Sequence, residues 1–292
     1  MPKLDARHVF QAVNIVDGLM GAAAIAHALP SAPSLAWIAT SQAALAMACL
    51  CPRCPLVGPA IVSVPTAKPY VALTFDDGPD PALTPYVLDI LAQYDAKASF
   101  FCIGERVRAH PALARAIAAA GHGVENHSLN HRAGFALLGS GGIAREVDHA
   151  QRLLADTTGQ SPVFFRAPSG FRNPWLAPLL AARGLRYAAW SRRGLDTIDP
   201  DPARILRRVS HTVAPGSVLL LHDGRSAHDR QGEAVLRTVL PRLLAELGER
   251  GLQAVDLRSL WRQRLRISPQ TVVGPSPPPG FSDSPHNRRR SS

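Results

Sequence analysis

The chain has 292 residues, of which 46% are hydrophobic and 18% are charged, and its formal net charge is +10. This composition indicates a globular protein with a substantial core and some inclination toward membranes. Aromatic residues make up only 6% of the chain and no basic helix stands out. Nucleic-acid binding is therefore not favoured, and attraction to anionic lipid or an anionic polymer explains the charge equally well.

The four cysteines indicate neither a disulfide framework nor a structural zinc site. Cys51 and Cys54 flank Pro52 and Arg53, but no second pair of Cys or His follows nearby. A structural zinc site is built from four such ligands. We therefore expect neither feature.

Two apolar segments open the chain, at residues 9–29 and 35–51, and a Pro- and Ser-rich stretch separates them. Each is close to the length of about 20 residues that a helix needs to cross a bilayer. We interpret them as a helical hairpin in or on a membrane, which makes membrane lipid a partner of residues 9–51. The alternative is a pair of buried helices that cap the main domain.

The charges around this hairpin leave its orientation open. Lys3 and Arg7 precede the first segment, and Arg53 and Lys68 follow the second. If both segments span, the positive-inside rule places both ends in the cytoplasm. If only the second spans, the main domain lies outside. The expected location is a membrane, the bacterial inner membrane, with the side of the main domain undecided.

From residue 69 to residue 264, predicted strands and helices alternate. Such alternation is typical of a parallel sheet, open or closed into a barrel, and active groups then gather at the carboxyl ends of the strands. The predicted strands are residues 71–75, 98–103, 123–125, 163–166, 187–190 and 218–221. The predicted helices are residues 84–94, 111–120, 143–157, 174–183, 202–211 and 233–250. The chain after residue 267 is rich in Pro, Ser and Arg, and we expect a disordered tail.

Asp76 and Asp77 place two neighbouring carboxylates at the end of the first predicted strand. Burial of charged groups is costly unless a metal ion or an arginine compensates the charge. A solvated turn is the alternative, since Asp followed by Gly78 and Pro79 is also ordinary loop chemistry.

His127 and His131 are four residues apart, on one face of the segment if it forms a helix turn. With one carboxylate, from either Asp76 or Asp77, they make the three-ligand set of a catalytic zinc site that keeps a position open for water. The other carboxylate then remains free to act as a base. A pair at this spacing also arises by chance in a chain with 11 histidines.

Three more polar residues lie in or near the ends of later predicted strands. Arg166 is either a surface arginine or one that holds a carboxylate ionised and oriented. His222 follows a buried apolar run, where it is either a satisfied core group or a proton donor near neutral pH. Asp196 is placed to hold such a histidine in its useful tautomer.

These residues lie in five motifs: TFDDGP at 74–79, HSLNH at 127–131, RAPSG at 166–170, the segment from Trp190 to Asp196, and LLH at 220–222. In order and spacing the set resembles the polysaccharide deacetylases with a NodB-homology domain, over about residues 68–265. The resemblance implies a distorted (β/α) barrel, an α/β fold. It also implies removal of N- or O-acetyl groups from sugars with a divalent metal ion, usually zinc.

The resemblance also assigns roles position by position. The implied metal ligands are Asp77, His127 and His131. The implied catalytic residues are the general base Asp76, its partner Arg166, the general acid His222 and its partner Asp196. The residues expected to contact substrate are Pro168, Ser169 and Trp190. Ser169 and Thr197 stand where the family usually has aromatic residues, so we expect a more open groove or a different sugar.

The sequence therefore predicts hydrophobic, membrane-associated helices at residues 1–66, a catalytic domain at residues 67–266, and a disordered tail at residues 267–292. We expect a metal-dependent hydrolase acting on an acetylated glycan that contains N-acetylhexosamine. One alternative is a membrane-tethered glycan-binding protein without catalysis, which the intact Asp76 and His222 disfavour. A basic nucleic-acid or lipid-surface binder is another, and no nucleic-acid partner is expected.

Overall fold

A computed structural model describes residues 6–26 and 31–264 of the chain. The predicted tail at residues 267–292 lies outside the described residues. The helices are α1 Ala6–Ile25, α2 Ser31–Leu50, α3 Thr84–Gln93, α4 Gly104–Ala109, α5 Pro111–Ala119, α6 Ser140–Thr158, α7 Leu176–Ala182, α8 Pro202–Ser210, α9 Val235–Glu249 and α10 Leu257–Arg264. The strands are β1 Tyr70–Asp76, β2 Ser99–Cys102, β3 Gly123–Asn126, β4 Phe164–Phe165, β5 Arg186–Tyr187, β6 Arg192–Arg193, β7 Val218–His222 and β8 Gln253–Val255.

The strands form one parallel sheet in the order β5-β4-β3-β2-β1-β7-β6, and β8 pairs with the beginning of β1. β1 is the central strand, and six of its seven residues are buried. A strand covered on both faces has a continuous apolar sequence, and the run before Asp76 therefore predicts a buried strand. The α/β fold and the distorted barrel expected from the sequence are confirmed.

The segment that precedes β1 closes the curled sheet. Ile61 bridges to Ala188 after β5, and Ser63 bridges to Ser217 before β7. Val64, next to these bridges, is completely buried inside the barrel. Residues 61–64 are therefore part of the barrel wall, although no local pattern predicts a strand there.

Several predicted elements differ from the observed ones. The predicted strand at residues 187–190 is only Arg186–Tyr187, and the chain resumes sheet pairing at Arg192–Arg193. The elements α4, β8 and α10 were not predicted. These elements are at most eight residues long, too short to carry a distinct hydrophobic period.

The two N-terminal helices pair with each other and bury polar groups between them. Asp17 of α1 accepts hydrogen bonds from Trp37 Nε1 (3.1 Å), Ser41 Oγ (2.7 Å) and Gln42 Nε2 (2.7 Å) of α2. Apolar side chains such as Ile25, which is 81% exposed, point outward. Both helices are long and apolar enough to cross a membrane, as judged by length and composition alone.

Arg172 joins this hairpin to the barrel. Its side chain is buried, and it donates from Nη2 to the Cys54 carbonyl (2.6 Å) and from Nη1 to the Gly58 carbonyl (3.1 Å). Its backbone N–H donates to the carbonyl of Cys49 in α2 (3.0 Å). One arginine thus binds the end of α2 and the connecting segment to the barrel.

His122 lies buried just before β3, and its Nδ1 accepts a hydrogen bond from the Ala98 N–H (3.3 Å). Burial and the positive charge of Lys97 lower its pKa to about 4, with Asp256 acting in the opposite direction. The unfolded chain therefore binds a proton on this side chain between pH 6.5 and about pH 4, where the folded chain does not. Stability falls as the pH drops through this window.

We predict that the free energy of unfolding of the wild type falls by about 2 kcal/mol more than that of His122→Gln between pH 7 and pH 5. Gln keeps an acceptor for the Ala98 N–H but does not titrate. Urea unfolding of the full chain in mild detergent at the two pH values measures the difference. Equal losses in the two proteins would show that His122 is not the titrating group.

Candidate active site

The predicted site residues follow the carboxyl ends of neighbouring strands, which the sheet brings to one edge. Asp76 ends β1 and is paired in register with His222, which ends β7. His127 follows β3, and Arg166 follows β4. Parallel strands present their carboxyl ends at the same edge, so residues nearly 150 positions apart become neighbours.

Arg166 is completely buried and contacts Asp76 directly. Its Nη1 lies 2.5 Å from Asp76 Oδ1 and also donates to Thr74 Oγ1 (3.0 Å). Its remaining donors bind the carbonyls of Ala188 and Ala189. A buried charge requires such a full set of partners, and here the guanidinium holds the Asp76 carboxylate in one orientation.

Asp77, His127 and His131 form the second cluster, with one ligand atom from each lying within 4.8 Å of the others. The Nε2 atoms of His127 and His131 lie 3.4 and 3.1 Å from Asp77 Oδ1. That oxygen is buried and makes no hydrogen bond of acceptable geometry. Two imidazoles and an unsatisfied carboxylate oxygen converging on one point are a donor set that fits a divalent cation.

The hydrogen bond at the far side of His127 supports this fit. Its Nδ1 lies 2.9 Å from the carbonyl oxygen of Arg166. A carbonyl only accepts, so Nδ1 carries the proton, and in the neutral ring Nε2 then presents a lone pair toward Asp77. Metal-binding histidines are typically oriented by a bond of this kind.

Burial and the neighbouring groups shift the pKa values of Asp77 and His131 in this cluster. Burial raises the pKa of Asp77, but the nearby imidazoles of His127, His131 and His222 lower it by more, so the net shift is downward. Burial and the neighbouring His127 lower the pKa of His131 to about 4, and Asp77 opposes this shift. At neutral pH the cluster therefore offers an ionised carboxylate and a neutral His131.

The segment that carries both histidines is a loop and not a helix turn. Ser128 and His131 have positive φ angles of 66° and 49°. Ser128 Oγ accepts the His131 N–H (3.0 Å), and the N–H groups of Leu129 and Asn130 donate to Glu146 (3.1 and 2.9 Å). Side-chain acceptors, rather than helical bonds, hold the loop.

Glu146 was missed by sequence reasoning, although a signal existed. It lies in α6 on the same face as the buried residues Ile143, Val147 and Ala150. A carboxylate on an apolar helix face is unusual unless it has a buried partner. Glu146 positions the loop between the two histidines and does not line the site.

His222 and Asp196 are also brought together. Nδ1 of His222 lies 2.9 Å from Asp196 Oδ1, and its backbone N–H donates to Asp196 Oδ2 (2.8 Å). Burial lowers the pKa of His222, but the carboxylates of Asp196, Asp76 and Asp77 raise it by more. The carboxylate of Asp196 requires the proton on Nδ1, so Nε2 is the atom left for substrate.

The turns after β1 and β7 approach each other very closely. A Cβ on Gly78 would lie 2.2 Å from a carboxylate oxygen of Asp223, and one on Gly224 would lie 2.5 Å from the Asp77 carbonyl. Asp223 itself accepts a hydrogen bond from Thr84 Oγ1 (2.6 Å), and burial raises its pKa to about 7. The two glycines allow the segments bearing Asp77 and His222 to meet.

A cavity of about 150 Å³ contains these groups. It is lined by Asp76, Asp77, His127, His131, Ser169, Gly170, Trp190, Arg193, Thr197, Leu220, His222 and Arg225. Of the residues predicted to contact substrate, Ser169 and Trp190 line it, whereas Pro168 is buried and does not. A larger cavity of about 450 Å³ near Ile61 contains no carboxylate and no histidine, so the chemistry favours the smaller one.

Two arginines in the lining, Arg193 and Arg225, were not predicted. Arg225 Nη1 lies 3.2 Å from His131 Nδ1. Since a guanidinium only donates, this contact competes with the protonation of Nδ1 that metal binding through Nε2 requires. Neither arginine lies at a strand end that the apolar pattern marks, so no local signal singled them out.

Known proteins that are similar in sequence to this chain are deacetylases. Residues 63–188 match the family model described as polysaccharide deacetylase. A peptidoglycan-N-acetylglucosamine deacetylase of Bacillus cereus is 33% identical over 207 residues, which cover 69% of this chain and 92% of that protein. A chitooligosaccharide deacetylase of Sinorhizobium fredii is 38% identical over 160 residues, which cover 54% of this chain and 74% of that protein.

Solved structures share the fold. A crystallised peptidoglycan N-acetylglucosamine deacetylase is 29% identical with a TM-score of 0.64, and the match covers 70% of this chain and 93% of that one. A CE4 family pseudoenzyme from Bacillus anthracis is 25% identical with a TM-score of 0.63, covering 70% of this chain and 69% of that one. The sequence match over nearly the whole length of the Bacillus cereus relative shows that the chain belongs to the polysaccharide deacetylase family.

Proposed function

We propose that the protein is a metal-dependent hydrolase that removes the N-acetyl group from an N-acetylhexosamine-containing glycan. The observation that carries this proposal is one cleft holding three pairs or clusters: Asp76 with Arg166, Asp77 with His127 and His131, and His222 with Asp196. The deacetylase names of the similar proteins support the substrate class. Ser169 and Trp190 would contact the sugar.

In this proposal Asp77, His127 and His131 hold a divalent cation, with zinc as the first candidate. When bound, the cation supplies positive charge that polarises the acetyl carbonyl and makes a nearby water more acidic. The clustering of these three groups around an unsatisfied oxygen supports this assignment.

The proton transfers fall to two other residues. Asp76, held by Arg166, accepts a proton from the attacking water, whose oxygen bonds to the acetyl carbon. His222 Nε2 donates a proton to the sugar nitrogen as the carbon–nitrogen bond breaks. The products are acetate and a free amine, and Asp196 keeps His222 in the tautomer and charge state needed for donation.

We predict that substitutions of the two neighbouring aspartates differ in their effects on metal content and activity. Asp77→Ala should lose both metal and activity because it removes a ligand. Asp76→Asn should keep its metal and lose at least about 100-fold in kcat because it removes the base. Metal content by mass spectrometry and acetate release from N,N′-diacetylchitobiose, with zinc, cobalt or nickel supplied, give the two readouts.

Asp89→Asn, an exposed change of the same kind on α3, is the matched control and should leave both readouts unchanged. Chelation of the wild type should abolish acetate release, and added metal should restore it. Equal metal loss in the Asp76 and Asp77 variants would refute the division of roles. Glycan binding without any acetate release would favour a non-catalytic binding protein.

The His222 pair gives a prediction on pH dependence. The proton donor must be protonated, so activity falls as the pH rises through the pKa of His222. Asp196 raises that pKa, so Asp196→Asn should move the alkaline limb of the kcat profile to lower pH and reduce kcat about 100-fold. An alkaline limb at the wild-type position, with metal content retained, would contradict the assigned role of Asp196.

We also propose that residues 1–66 associate the protein with a membrane, that residues 67–266 form the catalytic domain, and that residues 267–292 are a tail. The outward apolar side chains of α1 and α2, and the polar contacts of Asp17 between them, support a membrane hairpin.

We predict that the full chain stays in the membrane pellet after an alkaline carbonate wash and that detergent releases it. Immunoblotting of the fractions is the measurement, with a soluble cytoplasmic protein as a control. Recovery of the chain in the carbonate supernatant would show that the helices do not insert.

A further inference from the structure

The catalytic cavity, at about 150 Å³, is smaller than the roughly 300–1,000 Å³ of most ligand pockets. It can enclose an acetamido group and part of one sugar, so the rest of the substrate must extend from it. A second cavity of about 540 Å³ lies beside it, and Arg193 lines both. This second cavity is therefore placed to receive the part of the substrate bonded next to the reacting amide.

The second cavity is unusually basic, and we call it the arginine cavity. Its arginines are Arg53, Arg192, Arg193, Arg204, Arg207 and Arg208. Three elements supply them: the segment after α2, the strand β6 and the helix α8. Arginines so distant in sequence converge only because β6 and α8 pack together beside the end of the hairpin.

Nearby carboxylates neutralise only part of this charge. Asp199 lies 2.5 Å from Arg208 and 3.5 Å from Arg204, and Asp201 lies 3.6 Å from Arg204. Across residues 6–26 and 31–264, no carboxylate lies within 4.0 Å of the other four guanidinium groups. Those four belong to Arg53, Arg192, Arg193 and Arg207.

Three of the four unpaired arginines are positioned by other contacts. Arg53 donates to the Ser191 carbonyl (3.0 Å), and Arg192 donates to Thr212. Arg193 lies over the Trp190 ring, 5.4 Å from its centroid. The Nε atoms of Arg192 and Arg193 are buried without a hydrogen-bond partner in the described structure.

Like charges held this close repel one another, which destabilises the folded chain unless an anion is bound. The planar fork of arginine matches the oxygens of a phosphate. In a 2-acetamido sugar, C1 is bonded directly to C2, which carries the acetamido nitrogen. A phosphate on C1 therefore lies beside the amide, as the arginine cavity lies beside the catalytic one.

We propose that the arginine cavity binds the phosphate or diphosphate of an N-acetylhexosamine 1-phosphate derivative, and that such a compound is the substrate. This inference rests on the proposed deacetylase function. Two sources of the same chemistry exist, a nucleotide diphosphate sugar and a lipid diphosphate sugar, and both place phosphate on C1. A contact of these arginines with phospholipid headgroups is the competing use, although it gives no reason for Arg193 to line the catalytic cavity.

The test compares Arg207→Gln with Arg115→Gln, both exposed arginines, in the metal-loaded full chain in detergent. Arg115 lies on α5, on the other side of β1 in the sheet order, and serves as the matched charge control. The substrates are N,N′-diacetylchitobiose, UDP-N-acetylglucosamine and undecaprenyl diphosphate N-acetylglucosamine. Calorimetric titration with inorganic pyrophosphate gives a readout that does not depend on activity.

We expect wild type and Arg115→Gln to bind pyrophosphate and to prefer at least one phosphorylated substrate, and the better one identifies the source. In Arg207→Gln, pyrophosphate affinity and the ratio of kcat/KM for phosphorylated over unphosphorylated substrate should fall about tenfold. Any binding of pyrophosphate to the metal would be equal in the two variants, so the difference between them reports on the cavity.

Equal pyrophosphate affinity in the two variants, or none in the wild type, would overturn the inference. If acetate were still released from chitobiose, the proposed function would stand without it. If pyrophosphate binding were lost in Arg207→Gln and no substrate released acetate, the proposed function would be refuted. The arginine cavity would still be an anion-binding site. Binding to phosphatidylglycerol vesicles that depends on Arg207, without pyrophosphate binding, would assign the arginines to the membrane.

Discussion

The structure depends on how two adjacent carboxylates are accommodated at the end of a buried central strand. Asp76 and Asp77 follow the same apolar run, yet their nearest partners differ: a buried guanidinium for Asp76 and two imidazoles for Asp77. The backbone turns to a positive φ of 71° at Asp77, which separates the two side chains. The sheet order, the loop after β3 and the close approach of the glycines all maintain this separation.

This separation explains how one cleft can hold two kinds of chemistry. The guanidinium of Arg166 fixes the orientation of the Asp76 carboxylate. A carboxylate facing two imidazoles lacks a hydrogen-bond donor of good geometry, so its charge is available to a cation. On the opposite side of the cleft, the carboxylate of Asp196 contacts Nδ1 of His222. His127 lies between the two aspartates, with its Nε2 atom 3.4 Å from Asp77 Oδ1 and 3.8 Å from Asp76 Oδ2.

Local patterns in the sequence located the ends of β1, β3, β4 and β7 to within one residue, because an apolar run followed by a polar residue is a short-range signal. They predicted Asp76, His127, Arg166 and His222 at one edge of a sheet. They did not predict the shape of the loop from His127 to His131, which depends on Glu146 from a helix further along the chain. A spacing of four residues matches a helix turn, and only tertiary contacts reveal that another conformation holds the loop.

The attachment of the hairpin could not be predicted from the sequence either. Only the carbonyl partners of Arg172 distinguish it from an ordinary loop arginine. The hydrogen bonds of Arg172 hold the end of α2 against the barrel. A flexible linker would instead let a domain sample a wide volume. With α1 and α2 inserted in a bilayer, the cleft would keep a constant height and tilt above the lipid surface. The enzyme's reach would then be set by geometry, and glycans held at that height would be met far more often than those free in solution.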